Sequence, residues 1–336
     1  MIATKTVLVL GAGASAPYGL PTGGELVRRI RKFALSVEAG NWWGAFREYI
    51  EINKPQQLSR WQHLDAKMKD LGRQLQTARP YSIDEFLERR PDITDVGKLV
   101  LAIQLLQAER KSGGQLQSDA DGDHWYDFVK SRLVGSAERL EQNRIRVITF
   151  NYERSLEHYL FESLRPYYAN DLTDDDYRNM MNGMPVVHIY GSLGFLPWQS
   201  DTAVVAFGAQ GYGEILTATE TIKILHEGTR DDVQGNLERA KEWLNWADRV
   251  VFLGFGFHED NVERLGLGTT LRKNQQIYGT CHGLDHTRKS KVEYCTQWAV
   301  RPDQARGGVP PRCAIRFPDK KEAKCYEFLH GYVDLS

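Results

Sequence analysis

The residues best suited to chemistry follow directly on apolar runs. VLVL at residues 7–10 leads into GAGASA at residues 11–16. This fits G-x-G-x-x-G/A, in which the first glycine permits a tight turn, the second lets the backbone approach a pyrophosphate, and the last small residue packs helix on strand. Amides at the helix start would face the phosphates. The candidate phosphate-binding residues are Gly11, Ala12, Gly13 and Ser15.

The sequence argues against two other nucleotide-binding interpretations of this turn. A P-loop is excluded, because no GK[ST] follows the glycines. A dehydrogenase would carry a second strand ending in an acidic residue roughly 20 positions later. Here that region has a helical pattern and enters NWWGAF at residues 41–46. A tight strand-to-helix turn without any ligand stays open as the simpler alternative.

Polar residues follow a second apolar run in TFNYERSLE, residues 149–157. In open α/β sheets ligands bind at the carboxyl ends of strands. The amide of Asn151 can donate and accept hydrogen bonds at once, which suits a ribose hydroxyl or a water molecule. The alternative is an asparagine that caps a turn or a helix.

Two further strand ends carry candidate residues. VVHIYGSLG at residues 186–194 predicts His188 and Tyr190 on the same face of a strand. A histidine beside a ligand can titrate near neutral pH, and the alternative is a hydrogen-bonded core histidine. LGFGFHEDNVERL at residues 253–265 gives a second glycine-rich strand end, with a turn and a helix cap as the alternative. Its candidate residues are Gly254, Gly256 and Asn261.

The elements that would position these residues alternate between strand and helix. A helix should begin near Gly13 and continue towards Val37. Strands are predicted at residues 7–10, 146–150, 185–193, 248–257, 275–284 and 313–317. The pattern predicts an α/β fold, a Rossmann-like doubly wound parallel sheet formed by residues 1–38 and 145–336. Residues 39–144 read as an all-helical insertion, with a surface loop at 111–123.

Composition excludes several classes of protein. The 336 residues carry a formal net charge of -1, so no overall basic field favours direct nucleic-acid binding. No apolar run approaches the ~18 residues of a membrane span, and no cleavable signal sequence is evident. We therefore expect a cytoplasmic protein without membrane contact. The widely spaced cysteines, which predict reduced thiols and no metal site, are Cys281, Cys295, Cys313 and Cys325.

Taken in order, these stretches resemble the sirtuin family, and its prokaryotic sirtuin-like branch more than the deacetylases. The resemblance covers roughly half the chain. GAGAS at 11–15, with GLP at 19–21, is similar to the family's G-A-G-x-S…G-I-P, and TFNYE at 149–153 is similar to its T-x-N-x-D. GS at 191–192 resembles part of its H-G-S, and LGFG at 253–256 resembles its G-T-S. SIDEFLERR at 82–90 is similar to a segment of the prokaryotic branch.

The chain departs from the deacetylase pattern at three places. TGG at residues 22–24 stands where deacetylases have D-F-R. Tyr190 stands where the family has its histidine, and His188 precedes it by two positions. A strand repeats every second residue, so His188 could serve the same pocket, displaced by up to ~7 Å. Either residue could face the ribose, and we favour His188. The zinc-binding cysteine pairs are absent.

The resemblance implies NAD+ as the substrate, with no metal, and the nicotinamide–ribose bond as the point of cleavage. Water is the expected acceptor. Asn151 would orient ribose and water, and His188 would act as general base. Gly11, Gly13 and Ser15 would hold the pyrophosphate. The remaining binding residues are Ala12, Tyr190, Gly191, Gly254, Gly256 and Asn261, of which Gly254 and Asn261 would contact the adenosine half.

Two other functions remain open. One is sirtuin-type protein deacylation or ADP-ribosyl transfer, and the other is a non-catalytic sensor of NAD+ or ADP-ribose. The resemblance further implies regulated NAD+ depletion in antiviral defence, that is, abortive infection. Control would come from a homo-oligomer or from a separate partner, such as a HerA-type hexameric ATPase.

Overall fold

The computed structural model describes residues 1–116, 123–134, 142–224, 230–272, 274–298, 315–320 and 322–335. Short 3₁₀ turns lie at Ala16–Tyr18, Pro55–Gln57 and Pro91–Ile93. Its helices are α1 Ala12–Ser15, α2 Gly23–Ala34, α3 Val37–Asn53, α4 Leu64–Ala78, α5 Ile83–Glu88, α6 Thr94–Leu116, α7 Trp125–Leu133, α8 Ser155–Tyr168, α9 Asp174–Asn182, α10 Tyr212–Thr221, α11 Arg230–Trp246, α12 Glu259–Arg264, α13 Leu267–Thr270, α14 His286–Trp298 and α15 Cys325–Tyr332.

The strands form one parallel sheet, as the alternating pattern predicts. They are β1 Thr6–Leu10, β2 Ile145–Thr149, β3 Val186–His188, β4 Arg249–Leu253 and β5 Gln276–Gly279. Their spatial order is β3-β2-β1-β4-β5, so the chain winds outward from β1 in both directions. Of the last predicted strand, residues 313–314 lie outside the described residues, and Arg316 forms an isolated bridge to Tyr278.

Both faces of the sheet are covered, which explains why β1 is apolar at every position. Val7 and Val9 belong to one buried cluster, and Leu8 and Leu10 belong to the other. Helices contribute to each cluster. A parallel sheet buried on two sides is the arrangement of doubly wound α/β proteins, so the structure is consistent with a Rossmann-like fold.

The described residues of segment 39–144 form helices joined by turns and loops and contain no strand, as predicted. Their apolar side chains join the same two clusters as the strands, and α6 lies against α2, α4 and α10. The division of the chain into a sheet domain and an insertion domain therefore stays a prediction. In the expected surface loop, residues 111–116 are helical, and 117–122 lie outside the described residues.

The helix expected to run from Gly13 towards Val37 is interrupted, so this expectation was wrong. After α1 and one 3₁₀ turn, Gly19 adopts a left-handed conformation with φ 81°, and α2 starts only at Gly23. Gly19 ends the 3₁₀ turn in this left-handed conformation, and its amide donates to the carbonyl of Ala16. In the described part of the chain, no helix has the length and apolar character needed to cross a membrane.

Candidate functional site

The glycine turn after β1 packs backbone to backbone against the loop after β4. The amide of Gly11 donates to Leu253 O at 3.0 Å, and that of Gly13 donates to Gly254 O at 3.1 Å. A Cβ on Gly11 would lie 2.6 Å from Gly254 O, and one on Gly254, whose φ is 55°, would lie 1.9 Å from the amide nitrogen of Ala14. The close approach of these two backbone segments therefore requires glycine at positions 11 and 254. The Gly13 amide already donates a hydrogen bond within the protein.

Residues from α7 support the same turn from the other side. The indole nitrogen of buried Trp125 donates to Ala14 O at 2.7 Å. The hydroxyl of Tyr18 accepts from the amide of Tyr126 at 2.9 Å, and the two phenol rings stack. The end of the helical segment thus fixes the conformation of the glycine turn.

Asn151, which follows β2, is held by its side-chain nitrogen. That nitrogen lies 3.2 Å from Gly11 O, 3.1 Å from Ser15 Oγ and 3.1 Å from Glu153 Oε1. A backbone carbonyl only accepts hydrogen bonds, so this contact fixes which end of the amide is the NH2 group. The Oδ1 atom is then the part of Asn151 left for a ligand.

Ser15 and Glu153 complete the support of Asn151. Both side chains are buried, and each accepts from the side-chain nitrogen of Asn151 at 3.1 Å. Glu153 Oε2 also accepts from the amide of Ser155 at 2.7 Å. Burial raises the pKa of Glu153. Ser15, which is expected to hold the pyrophosphate, contacts the side chain of Asn151.

His188 lies beside Asn151, with both ring nitrogens occupied. Nδ1 is 2.8 Å from Asn151 O, and Nε2 is 2.6 Å from Glu157 Oε1. Burial favours the neutral ring, but the attraction of Glu157 outweighs it and raises the pKa of His188. The pairing likewise outweighs burial at Glu157 and lowers the pKa of that carboxyl.

This geometry is at variance with the expected general-base role of His188. A ring that donates from both nitrogens is an imidazolium and has no lone pair to accept a proton. The Asn151 carbonyl can only accept, so Nδ1 carries a proton, and the carboxylate of Glu157 favours a second proton on Nε2. His188 therefore holds the main chain of Asn151 in place.

Tyr190 points away from His188, contrary to the expectation that they share a strand face. β3 ends at His188, and a turn follows in which the amide of Gly191 donates to His188 O at 3.3 Å. The alternation of side chains stops where the strand stops. Tyr190 is consequently buried in the cluster of Val7, next to Phe150 at 5.8 Å between ring centroids.

A second set of polar residues surrounds Tyr190. Its hydroxyl donates to Asn261 Oδ1 at 2.9 Å and accepts from Arg264 at 2.6 Å. Arg264 is also paired with Glu88 of α5, at 3.1 Å. Burial raises the pKa of Tyr190 to about 12, so the phenol is neutral near pH 7.

Asp84, also on α5, extends this second set to the loop after β2. Its carboxylate accepts a hydrogen bond from the hydroxyl of Tyr152. Burial raises the pKa of Asp84, although the bond from Tyr152 acts against it. α5 thus touches loops that follow two different strands.

The structure therefore separates the predicted site residues into two groups. We call the first group the Asn151 cluster, which consists of Ser15, Asn151, Glu153, Glu157 and His188. We call the second the Tyr190 cluster, which consists of Asp84, Glu88, Tyr152, Tyr190, Asn261 and Arg264. Asn261, which is expected at the adenosine half of the ligand, accepts a hydrogen bond from Tyr190.

The remaining predicted residues lie outside both clusters. A Cβ on Gly191, whose φ is 71°, would lie 2.2 Å from Thr221 O, so that glycine serves the approach of α10. A Cβ on Gly256 would lie 3.1 Å from His258 Nε2. Gly254 lies against Gly13 and Ala14 of the glycine turn. Ala12 is the first residue of α1.

Sequence reasoning missed the acids and the arginine of both clusters. Glu153 and Glu157 belong to a stretch in which charged residues are buried directly after a strand, which is an unusual place for them. Asp84 and Glu88 lie in SIDEFLERR, which the resemblance had marked without a role. No spacing rule connects them to Arg264, since the contact depends on tertiary packing.

A large open cavity of about 1360 Å³ lies beyond β4, between α12, α13 and α14. Phe257, Val262 and Leu267 are among its apolar lining residues, and Arg288 and Lys291 are among its cationic ones. Within the described residues, no group of three or more metal-ligating side chains is brought together. No protein-family model matches the chain, and no curated protein matches it.

Proposed function

We propose that the protein is an NAD+ hydrolase, which converts NAD+ and water into nicotinamide, ADP-ribose and a proton. The observation that carries the proposal is the bond from the Asn151 side chain to Gly11 O at 3.2 Å. It fixes an acceptor oxygen relative to the turn that would hold the pyrophosphate. The glycine pattern and the resemblance to sirtuin-like proteins give additional support.

Cleavage of the nicotinamide–ribose bond depends on the positioning of ribose and water more than on proton transfer. Nicotinamide leaves as a neutral molecule, and the ribosyl group becomes an oxocarbenium-like cation, as in glycoside cleavage. Asn151 Oδ1 accepts a hydrogen bond from a ribose hydroxyl or from the attacking water. Because the cation is strongly electrophilic, water adds without prior deprotonation and then releases its proton to solvent. His188 acts as a positioning residue, through its bond to Asn151 O.

Incubation with NAD+ followed by identification of the products tests the proposal. We expect nicotinamide and ADP-ribose from the wild-type protein, or from the protein with an activating partner. Asn151→Ala should lower turnover by about 10²-fold, since misplacement of a positioning group costs that much. Asn53→Ala is the matched control, because the side chain of Asn53 is exposed and donates to Tyr49 O, at 3.0 Å, one turn earlier on the same helix. Equal turnover in Asn151→Ala and Asn53→Ala would remove Asn151 from the mechanism.

A non-catalytic sensor of NAD+ or ADP-ribose is the second candidate. Two observations favour it: the Gly13 amide is used by Gly254 O, and His188 lacks a free lone pair. Calorimetry would then give binding of NAD+ without product formation. Deacylation would instead release nicotinamide only when an acyl-lysine peptide is added.

The setting of the proposed reaction follows from the resemblance alone. Uncontrolled cleavage would exhaust the NAD+ of the cell, so the activity has to be regulated. The corresponding proposal is that the protein acts in the cytoplasm, in abortive antiviral defence. A homo-oligomer or a separate HerA-type ATPase would control its activity.

A further inference from the structure

Residues 81–88, which we call the strap, cross the carboxyl edge of the sheet. The strap contains α5, whose start is fixed by the Ser82 hydroxyl, which accepts from the amide of Glu85 at 3.1 Å. Its sequence neighbours belong to the helical segment, yet its own side chains contact the segments that follow β2 and β4, and through Arg264 they are connected to the loop after β3.

The three contacts are distributed along the strap. Tyr81 lies with its ring 5.4 Å from that of His258, in the loop after β4. Asp84 accepts from Tyr152 in the loop after β2. Glu88 pairs with Arg264, whose other nitrogen donates to Tyr190 in the loop after β3. A ligand lying across this edge must therefore meet the strap.

Of the three contacts of the strap, the Arg264–Glu88 ion pair is the one in which another anion can replace a carboxylate. The two side chains retain 23% and 34% of their exposure, so solvent and solutes reach them. The guanidinium presents a planar set of donors that matches carboxylates and phosphates equally well. Tyr190 holds Arg264 from the other side, so the cation keeps its place when Glu88 leaves.

We propose that Arg264 is an anion-binding residue of this site and that Glu88 occupies it as an internal substitute. The strap then keeps the edge closed until a pyrophosphate-bearing nucleotide displaces the Glu88 carboxylate. The identity of the ligand rests on the proposed function. The exchange itself rests on the contacts of Arg264.

Titration calorimetry with ADP-ribose, and with adenosine as a ligand that has no phosphate, tests this exchange. Glu88→Gln removes the competing charge and should raise the affinity for ADP-ribose about two- to five-fold, the range of a partly exposed ion pair. The affinity for adenosine should not change. Arg264→Lys keeps the charge but loses the planar set of donors, and should lower ADP-ribose affinity about ten-fold.

The matched control is Glu85→Gln, on the same helix. Glu85 pairs with Arg89 at 3.4 Å and makes none of the three contacts described above for Tyr81, Asp84 and Glu88, so its loss should leave both affinities unchanged. Amide hydrogen exchange adds a readout independent of ligand, and residues 83–88 should exchange faster in Glu88→Gln than in Glu85→Gln.

The outcomes separate this inference from the proposed function. Tighter ADP-ribose binding in Glu88→Gln without NAD+ turnover in any variant supports the exchange and rejects the hydrolase. NAD+ turnover with unchanged or weaker ADP-ribose binding in Glu88→Gln supports the hydrolase and rejects the exchange. Failure of ADP-ribose to bind any variant also rejects the exchange, as does an equal gain for adenosine.

Discussion

The Asn151 cluster and the Tyr190 cluster lie at the same edge of the sheet but differ in how firmly they are held. His188 and Glu157 retain 14% and 7% of their side-chain exposure, against 23% and 34% for Arg264 and Glu88. In the first cluster a buried ion pair fixes the main chain of Asn151. In the second, the ion pair is reached by solvent. The Asn151 cluster is therefore suited to holding a group in a fixed position. In the Tyr190 cluster, Arg264 can exchange Glu88 for another anion.

The two clusters also differ in the origin of their residues. The first comes mostly from one stretch, residues 149–157, together with the glycine turn and the end of β3. The second joins α5 to loops from three strands. A cluster assembled from distant segments changes with any movement of those segments, whereas a local cluster moves as a unit.

The largest expected difference between the clusters is in stability. Glu157→Gln leaves the buried His188 without its carboxylate and should lower the free energy of unfolding by about 3 kcal/mol. Glu88→Gln, made in the half-exposed pair, should lower it by at most about 1 kcal/mol. Urea denaturation at pH 6 measures both. Equal losses would show that the two ion pairs do not differ in the way their burial indicates.

The pH dependence of that difference gives a second, smaller effect. The raised pKa of His188 means that its stabilisation is complete below the ordinary value of 6.5 and is lost as pH rises through the folded-state pKa. The lowered pKa of Glu157 means that its stabilisation is present above the ordinary value of 4.5 and is lost as pH falls through the folded-state pKa.

The gap in unfolding free energy between wild type and Glu157→Gln should therefore be widest between pH 4.5 and 6.5. It should narrow at higher pH, once His188 becomes neutral. Denaturation curves collected at one-unit steps measure the gap. A gap that widens steadily up to pH 9 would contradict the imidazolium assigned to His188.

The smallest effect is expected at Tyr190. Tyr190→Phe keeps the packing on Phe150 and removes the hydroxyl that bridges Asn261 and Arg264. Loss of this bond should cost about 1 kcal/mol, because the half-exposed Arg264 can bond to water instead. Thermal or urea unfolding measures it. A loss as large as that of Glu157→Gln would mean that the second cluster is as rigid as the first.

The sheet could be predicted from sequence because its strands are buried on both faces. Such strands are short continuous apolar runs, and VLVL and RVVFL show this directly. The end of β3 could not be predicted. VVHIYGSL keeps its strand-like composition beyond His188, while the left-handed turn at Gly191 depends on the approach of Thr221, a residue distant in sequence.

The candidate site, like the sheet, could be predicted from the sequence only in part. Asn151 and the glycine turn were predicted because each follows a strand, and strand ends share one edge. Their hydrogen bond at 3.2 Å is the tertiary consequence. The protonation of His188 could not be predicted, since it depends on Glu157 of α8 and on a carbonyl that only the folded chain presents. Arg264 and Glu88, 176 positions apart, carried no shared signal.

Segment 39–144 and the sheet are joined by a buried pair, Glu109 of α6 and Arg154, at 2.7 Å. Arg154 also donates to Val205 O at 2.6 Å, and Glu109 accepts from the amide of Gly208 at 3.1 Å. During synthesis, α6 emerges before any of these partners, so the Glu109 carboxylate has no counter-charge until Arg154, 45 positions later, is made. Its bond from the Gly208 amide requires a residue 99 positions later. The helices cannot complete their packing first, and the order of translation is not the order of assembly.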